Sequence, residues 1–148
     1  MKPVLPHLHA YNYCVFSYSF AFYGKEDWRK NLDRLALSGF TSALVVAGNM
    51  KVWQLFLRDA GFSEEQIAAY IPDEMAQSWV NCGVMEGLGA PLPPERIDEE
   101  AELGRWLVAE MRSLGIEPML QGFTGLLPNS ATEVITGDKW PDAKIYNQ

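Results

Sequence analysis

Hydrophobic positions repeat with a helical period in two long segments of the chain. In the segment from about Lys25 to Ser38 the apolar stripe consists of Trp28, Leu32, Leu35 and Ala36. In the segment from about Ile97 to Leu114 it consists of Leu103, Trp106, Leu107, Met111 and Leu114. A glycine follows each stripe, where a left-handed residue commonly ends a helix. The pattern therefore predicts two long helices that end near Gly39 and Gly115.

Three short runs have the composition of β-strands. Residues 13–20 are rich in aromatic and β-branched types, and residues 42–47 form an apolar run suited to a strand buried on both faces. Residues 116–121 predict a third strand. Both long helices lead into the following strand through a glycine, an apolar residue and two further residues, a recurrence typical of α-to-β units in a parallel sheet.

A helical excursion separates the second and third predicted strands. Its first apolar stripe consists of Val52, Trp53, Phe56 and Ala60. Ser63 and Gln66 have the spacing of a capping box and open a helix that should run to about Tyr70. Pro72 suits the first turn of another short helix, which carries Met75, Trp79 and Val80. The loop of residues 83–94 is dense in glycine and proline, and its length suggests a function.

The order of elements predicts an α/β fold. It fits the beginning of either a doubly wound sheet or a (β/α)8 barrel. Neither a dinucleotide fingerprint after the first strand nor a phosphate-binding glycine loop occurs, which favours the TIM barrel. A complete barrel needs about 250 residues, so 148 residues correspond to roughly the first three βα units. We expect a lead-in over residues 1–11, a partial barrel over 12–136 and a polar tail over 137–148.

Charge and composition narrow the expected partners. The chain has 12 basic and 19 acidic side chains and a net charge of −7, which makes nucleic acid an unexpected partner. No apolar run of about 18 residues occurs, so no membrane span is expected. Cys14 and Cys82 are too few for a structural zinc site or a disulfide framework. His7 and His9 lack a third ligand nearby, so we expect neither a metal nor another cofactor. The cellular compartment stays open.

Several ordered motifs resemble one family of glycosidases. The stretch Asn-Tyr-Cys-Val-Phe-Ser-Tyr-Ser-Phe over residues 12–20 is similar to the opening of the catalytic barrel of α-N-acetylglucosaminidases, glycoside hydrolase family 89. Further matches are Trp28, Leu32-Asp33, Ala36-Leu37, Gly39, Gly48, Trp53, Pro91-Leu-Pro93, Gly115-Ile-Glu-Pro118 and the 122–128 segment Gly-Phe-Thr-Gly-Leu-Leu-Pro. This resemblance covers roughly residues 11–130. It implies an exo-acting, retaining hydrolase whose partners are glycans with terminal α-linked N-acetylglucosamine.

The resemblance also implies where sugar would bind. Asn12 would hydrogen-bond hydroxyl groups, Cys14 would pack against the sugar, Tyr18 could reach it, and Asn49 follows the second strand where a ligand-facing loop would begin. On residue chemistry alone, Asn12 could instead cap a turn, Cys14 could be a small buried hydrophobe and Tyr18 a core aromatic. For Asn49 we favour a helix N-cap.

The expected carboxylate pair of a retaining glycosidase is not found in this sequence, and the resemblance places both family glutamates on later strands. The acids at helix starts should be solvated: Glu26, Asp27, Glu64, Glu65, Glu99 and Glu100. Glu117 lies at a strand entry, and Glu86 stands alone in its loop. We therefore expect the chain alone to be catalytically inactive.

Two alternatives to an enzyme fragment stay open. A non-catalytic sugar-binding remnant is favoured by aliphatic residues where the family is usually polar or aromatic: Met50, Val84, Leu88 and Leu126. A structural or interaction domain would self-associate through the open edges of an incomplete barrel.

Overall fold

A parallel three-stranded sheet organises the chain. In a computed structural model, which describes residues 5–81, 89–122 and 125–135, the strands are β1 (His9–Ala10), β2 (Ser42–Val45) and β3 (Glu117–Leu120). Their order is β1-β2-β3, and both pairings are parallel. The predicted α/β architecture with parallel strands is confirmed.

Six helices accompany the sheet in the described part of the chain. They are α1 (Lys25–Leu37), α2 (Asn49–Ala60), α3 (Glu64–Tyr70), α4 (Gln77–Asn81), α5 (Pro94–Ser113) and α6 (Ala131–Val134). Two 3-10 turns, Cys14–Ser17 and Ser19–Phe22, precede α1. The predicted tail over residues 137–148 and the first half of the glycine-rich loop, residues 83–88 with Val84, Glu86 and Leu88, lie outside the described residues. No described helix is long and apolar enough to cross a membrane.

The prediction of a strand over residues 13–20 is wrong. That segment forms the two 3-10 turns, in which backbone groups pair locally, as when Tyr18 N donates to Val15 O at 3.0 Å. Its aromatic side chains pack on α1, with the rings of Phe16 and Phe20 centred 5.6 and 4.6 Å from that of Trp28. Packing against a neighbouring helix therefore overrides the β-propensity of these residues.

The two long helices and the central strand agree with the prediction. Gly39 and Gly115 follow α1 and α5 with φ of 80° and 73°, the left-handed conformation that glycine adopts without steric cost. All four residues of β2 are buried. Helix α5 begins at Pro94, earlier than expected, because proline is well suited to the first helical turn.

The excursion is helical, with a different buried face from the one predicted. The stripe prediction for α2 is wrong at Val52, whose side chain is 65% exposed, whereas Met50, Gln54 and Leu57 are buried. The capping box of α3 is confirmed: Gln66 N donates to Ser63 Oγ, and Ser63 N donates to Gln66 Oε1. Helix α4 begins only at Gln77, and Met75 before it is exposed.

Helix α5 lies unusually close to the connection that leaves β2. A Cβ atom added at Gly104 would be 2.3 Å from the carbonyl oxygen of Ala47. One added at Gly48, where φ is 90°, would be 3.2 Å from the Cα of Ala101. The two backbones therefore touch at two glycines, and this contact sets how closely α5 approaches the sheet.

The contact predicts that Gly104→Ala destabilises the protein. In a helix without this neighbour, the same change would stabilise by about 1 kcal/mol through helix propensity. Here we expect a net loss of about 1–3 kcal/mol, because the methyl group must displace backbone. Urea unfolding measures the difference. Gly122→Ala is the control, since a Cβ there meets nothing within 4 Å; equal or increased stability of Gly104→Ala would contradict the contact.

Candidate functional site

The segments leaving the three strands meet at one edge of the sheet. We call this the C-terminal edge: it comprises residues 11–13 after β1, 46–48 after β2 and 121–122 after β3. Because the strands are parallel, their carboxyl ends point the same way. In (β/α) barrels this edge carries the active site. It is therefore the place to look for the predicted binding residues.

Asn12, Cys14 and Tyr18 all lie in the segment that leaves β1, and all three are exposed. Neither Asn12 nor Cys14 lies on a strand: Asn12 is in irregular backbone, and Cys14, which the predicted strand over residues 13–20 included, begins the first 3-10 turn. Cys14 is not the buried hydrophobe of the alternative reading, and Tyr18, at 54% exposure, is not a core aromatic. Asn12 borders a small cavity of about 50 Å³ beside Trp28.

Asn49 follows β2 and is half-buried, but it is not the N-cap that we favoured. It is the first residue of α2, and Gly48 occupies the N-cap position with φ of 90° and no capping side chain. The left-handed conformation required there explains why a glycine, rather than the asparagine, precedes the helix. Asn49 thus lies directly beside the C-terminal edge, on a different segment from the other three residues.

A hydrogen-bond network that the sequence did not indicate holds the segment after β1. The hydroxyl of Tyr13 donates to Gln121 Oε1 at 2.8 Å, across the end of the central strand. The carbonyl oxygen of Tyr13 accepts from Ser78 Oγ at 3.0 Å, and Ser78 N donates to the buried Ser17 Oγ at 3.0 Å. The segment that carries Asn12 is therefore fastened both to the loop after β3 and to α4.

Sequence reasoning missed this network because its partners lie far apart along the chain. Tyr13 and Gln121 are 108 positions apart, and Ser17 and Ser78 are 61 apart. A serine within an aromatic run carries no local pattern that identifies it as buried. Only the folded chain brings these groups within hydrogen-bond distance.

Glu100 is half-buried and its Oε2 atom is shielded from solvent, so the prediction that its carboxyl group is solvated is wrong. Gln77 Nε2 on α4 donates to Glu100 Oε1 at 2.8 Å, while Oε2 has no hydrogen-bond partner among the described residues. Burial raises the pKa of this carboxyl to about 7; the hydrogen bond from Gln77 acts in the opposite direction. The hydrogen bond from Gln77 brings α4 to a position on α5 that the sequence pattern leaves to solvent.

The raised pKa predicts a pH-dependent stability. In the folded chain Glu100 stays protonated up to about pH 7, whereas in the unfolded chain it ionises at its ordinary pKa of 4.5. Between these values the unfolded state binds fewer protons, so stability falls as the pH rises through this window. Above about pH 7 the resulting decrease in the free energy of unfolding reaches about 3 kcal/mol. Glu100→Gln should remove this fall.

Urea unfolding of the two proteins at several pH values between 4 and 8 measures the effect. Glu102→Gln is the matched control, because Glu102 is exposed on the same helix. An unchanged pH slope in Glu100→Gln would contradict the assignment.

No group of three or more histidine, cysteine, aspartate or glutamate side chains in the described part of the chain could hold a metal ion. The predicted binding residues at and beside the C-terminal edge offer amides, a thiol and a phenol. These groups can bind and orient a polar ligand.

Comparison with known proteins identifies relatives along most of the chain. Residues 8–148 match the family model described as the α-N-acetylglucosaminidase (NAGLU) TIM-barrel domain. Human α-N-acetylglucosaminidase is 29% identical over 123 residues, which are 83% of this chain and 17% of that protein.

Solved structures of a family 89 glycoside hydrolase from Clostridium perfringens are similar in fold and sequence. Its complex with 2-acetamido-1,2-dideoxynojirimycin superposes with a TM-score of 0.85 at 32% identity, covering 89% of this chain and 15% of that one. Its complex with PUGNAc gives a TM-score of 0.83 over 87% of this chain. A third structure holds a variant with two glutamates changed to glutamine and its substrate GlcNAc-α-1,4-galactose.

This chain spans less than a fifth of the length of those relatives. The family match over residues 8–148, the shared sequence and the parallel βα units agree on one fold, the partial TIM barrel expected from the sequence. The chain belongs to the α-N-acetylglucosaminidase family, glycoside hydrolase family 89.

Proposed function

We propose that this chain forms the first part of the catalytic barrel of an exo-acting, retaining hydrolase of terminal α-linked N-acetylglucosamine. In this proposal Asn12, Cys14 and Tyr18 form one wall of the sugar pocket, and Asn49 approaches it from the segment after β2. The observation that carries the proposal is the family membership together with the location of these residues at and beside the C-terminal edge.

The exposure of the three residues after β1 supports a binding role. The amide of Asn12 offers both a donor and an acceptor to a sugar hydroxyl, and Tyr18 offers a ring and a hydroxyl. The bond from Tyr13 to Gln121 holds this segment against the loop after β3. A pocket wall that is held before the ligand arrives loses less conformational entropy on binding. The inhibitor and substrate complexes of the Clostridium perfringens relative support the ligand class.

We further propose that the chain alone does not hydrolyse the glycosidic bond. A retaining mechanism needs two carboxyl groups roughly 5 Å apart on either side of that bond. In the described segments at the C-terminal edge, residues 11–13, 46–48 and 121–122, no side chain is an aspartate or a glutamate. Barrel strands outside this chain would supply the pair.

Sugar binding is tested with 2-acetamido-1,2-dideoxynojirimycin as the probe. We expect it to raise the melting temperature in a saturable manner, because a ligand that binds the folded state stabilises it. Asn12→Ala and Tyr18→Phe should each weaken binding by about three- to tenfold, the equivalent of one lost hydrogen bond. Asn129→Ala is the matched control for Asn12→Ala and should leave binding unchanged. A shift that Asn12→Ala leaves intact would show that the assigned wall is wrong.

The same preparation tests catalysis with an aryl α-N-acetylglucosaminide. We expect no aryl alcohol release above the buffer rate. Turnover that persists through purification and is lost when an acidic residue of this chain is changed would refute the proposal of inactivity.

A second candidate function, a structural domain that self-associates, is favoured by the surface of β3. In the described part of the chain β3 pairs with β2 along one edge, and Leu120 is 66% exposed. An edge strand with an exposed apolar side chain can pair with another chain.

This candidate predicts a concentration-dependent sedimentation coefficient. Leu120→Lys should shift the protein to the monomer, because it places a charge at the edge. Leu37→Lys, at a leucine 90% exposed on α1, is the control and should leave assembly unchanged. A single monomeric species at all concentrations would exclude this function.

A further inference from the structure

Two tyrosine rings are stacked at the C-terminal edge. Tyr11 follows β1 directly, and its ring is parallel to that of Tyr13 within 14°, with the two ring centroids 6.1 Å apart. This is an offset stack, one of the arrangements that aromatic pairs prefer. Because the rings are parallel and offset, each leaves part of its face uncovered by the other, and together they form an apolar surface wider than one ring. We call this surface the tyrosine platform.

The Tyr13 half of the tyrosine platform is held at two points. The hydroxyl of Tyr13 donates to Gln121 Oε1 at 2.8 Å, and the carbonyl oxygen of Tyr13 accepts from the buried Ser78 Oγ at 3.0 Å. The first bond fixes the ring, and the second fixes the backbone that carries it. The platform is therefore arranged before a ligand arrives, which reduces the conformational entropy lost on binding.

The Tyr11 half of the tyrosine platform is open to solvent. Tyr11 is 64% exposed, whereas Tyr13 is half-buried. A single exposed aromatic residue is common on protein surfaces and needs no ligand to explain it. Tyr11 differs because its ring is stacked on a ring that is itself held, at the edge of the sheet where barrel enzymes bind their ligands.

The chemistry of the tyrosine platform fits a pyranose ring. A pyranose has C–H groups on its faces and hydroxyl groups around its rim. The C–H groups carry a small positive charge, which the negative face of an aromatic ring attracts. The rim requires hydrogen-bonding groups, and the phenol hydroxyl of Tyr11 and the exposed amide of Asn12 offer both donors and acceptors.

We propose that the tyrosine platform stacks against the pyranose ring of the terminal N-acetylglucosamine, with Tyr11 as a further sugar-contacting residue. This inference rests on the proposed function, because it takes the sugar and its location at the C-terminal edge from there. The platform adds a contact with the face of the sugar to the hydrogen bonds proposed for Asn12 and Tyr18. An apolar side chain without a ring should therefore not replace Tyr11.

The test titrates the whole chain with the neutral methyl α-glycoside of N-acetylglucosamine and follows the probe by NMR. Protons over the face of an aromatic ring shift upfield, so we expect saturable upfield shifts of the ring C–H resonances of the probe. Tyr11→Leu should remove at least about half of these shifts and weaken binding about fivefold or more. Tyr11→Phe keeps the ring and should weaken binding by less than about twofold.

Phe56→Leu is the matched control. It makes the same change at an exposed aromatic residue of α2, outside the segments of the C-terminal edge, and should leave the affinity and the shifts unchanged. The melting temperature without probe confirms that each variant is folded, which we expect for Tyr11→Leu because Tyr11 is exposed. Affinity and upfield shifts that Tyr11→Leu leaves intact overturn the inference.

Asn12→Ala in the same titration separates this inference from the proposed function. Binding that Asn12→Ala weakens and Tyr11→Leu does not would refute the tyrosine platform and support the proposed sugar pocket. Binding that only Tyr11→Leu weakens would support the platform and show that Asn12 is not part of the pocket wall. The absence of any saturable shift with the unaltered chain would refute both.

Discussion

The close approach of α5 to the end of β2 is the constraint on which the rest of the structure depends. Gly104 lies against the carbonyl group of Ala47, and Gly48 lies against the backbone of Ala101. A side chain at either glycine would push the helix away from the sheet. Because α5 leads directly into β3, the position of α5 against the sheet also determines where β3 begins to pair with β2. The absence of a Cβ atom at Gly48 and at Gly104 therefore determines how closely α5 approaches the end of β2.

The position of α5 also determines which hydrogen bonds form beside the C-terminal edge. It brings Glu100 against Gln77 of the excursion, and the same excursion reaches the segment after β1 through Ser78. The aromatic residues of that segment then pack on Trp28 of α1. The position of α5 is therefore connected, through the excursion, to the proposed sugar-binding segment. The excursion between α2 and α5 is part of this architecture rather than a simple insertion.

The features that could be predicted were those with a local cause. Helix α1 follows from a stripe of apolar residues and a terminal glycine, and α3 from the capping box of Ser63 and Gln66. Errors occurred where a distant surface decides burial or conformation. Residues 13–20 have the composition of a strand, yet they form 3-10 turns because their aromatic side chains pack against α1. Val52 has the right spacing for a core position, but α2 packs through Met50 and Leu57 instead.

The sequence by itself determined the fold class, the family and the segment proposed to contact sugar, because periodicity, glycine stops and ordered motifs are properties of neighbouring residues. Only the tertiary structure decided that Asn12 and Cys14 lie beyond a strand rather than on it. It also decided that Tyr13 donates to Gln121 and that Glu100 is half-buried, with Oε2 shielded from solvent. Hydrogen bonding and desolvation depend on which residues are in contact in the folded chain. Residues that are 61 or 108 positions apart form such contacts here, and no local sequence pattern predicts them.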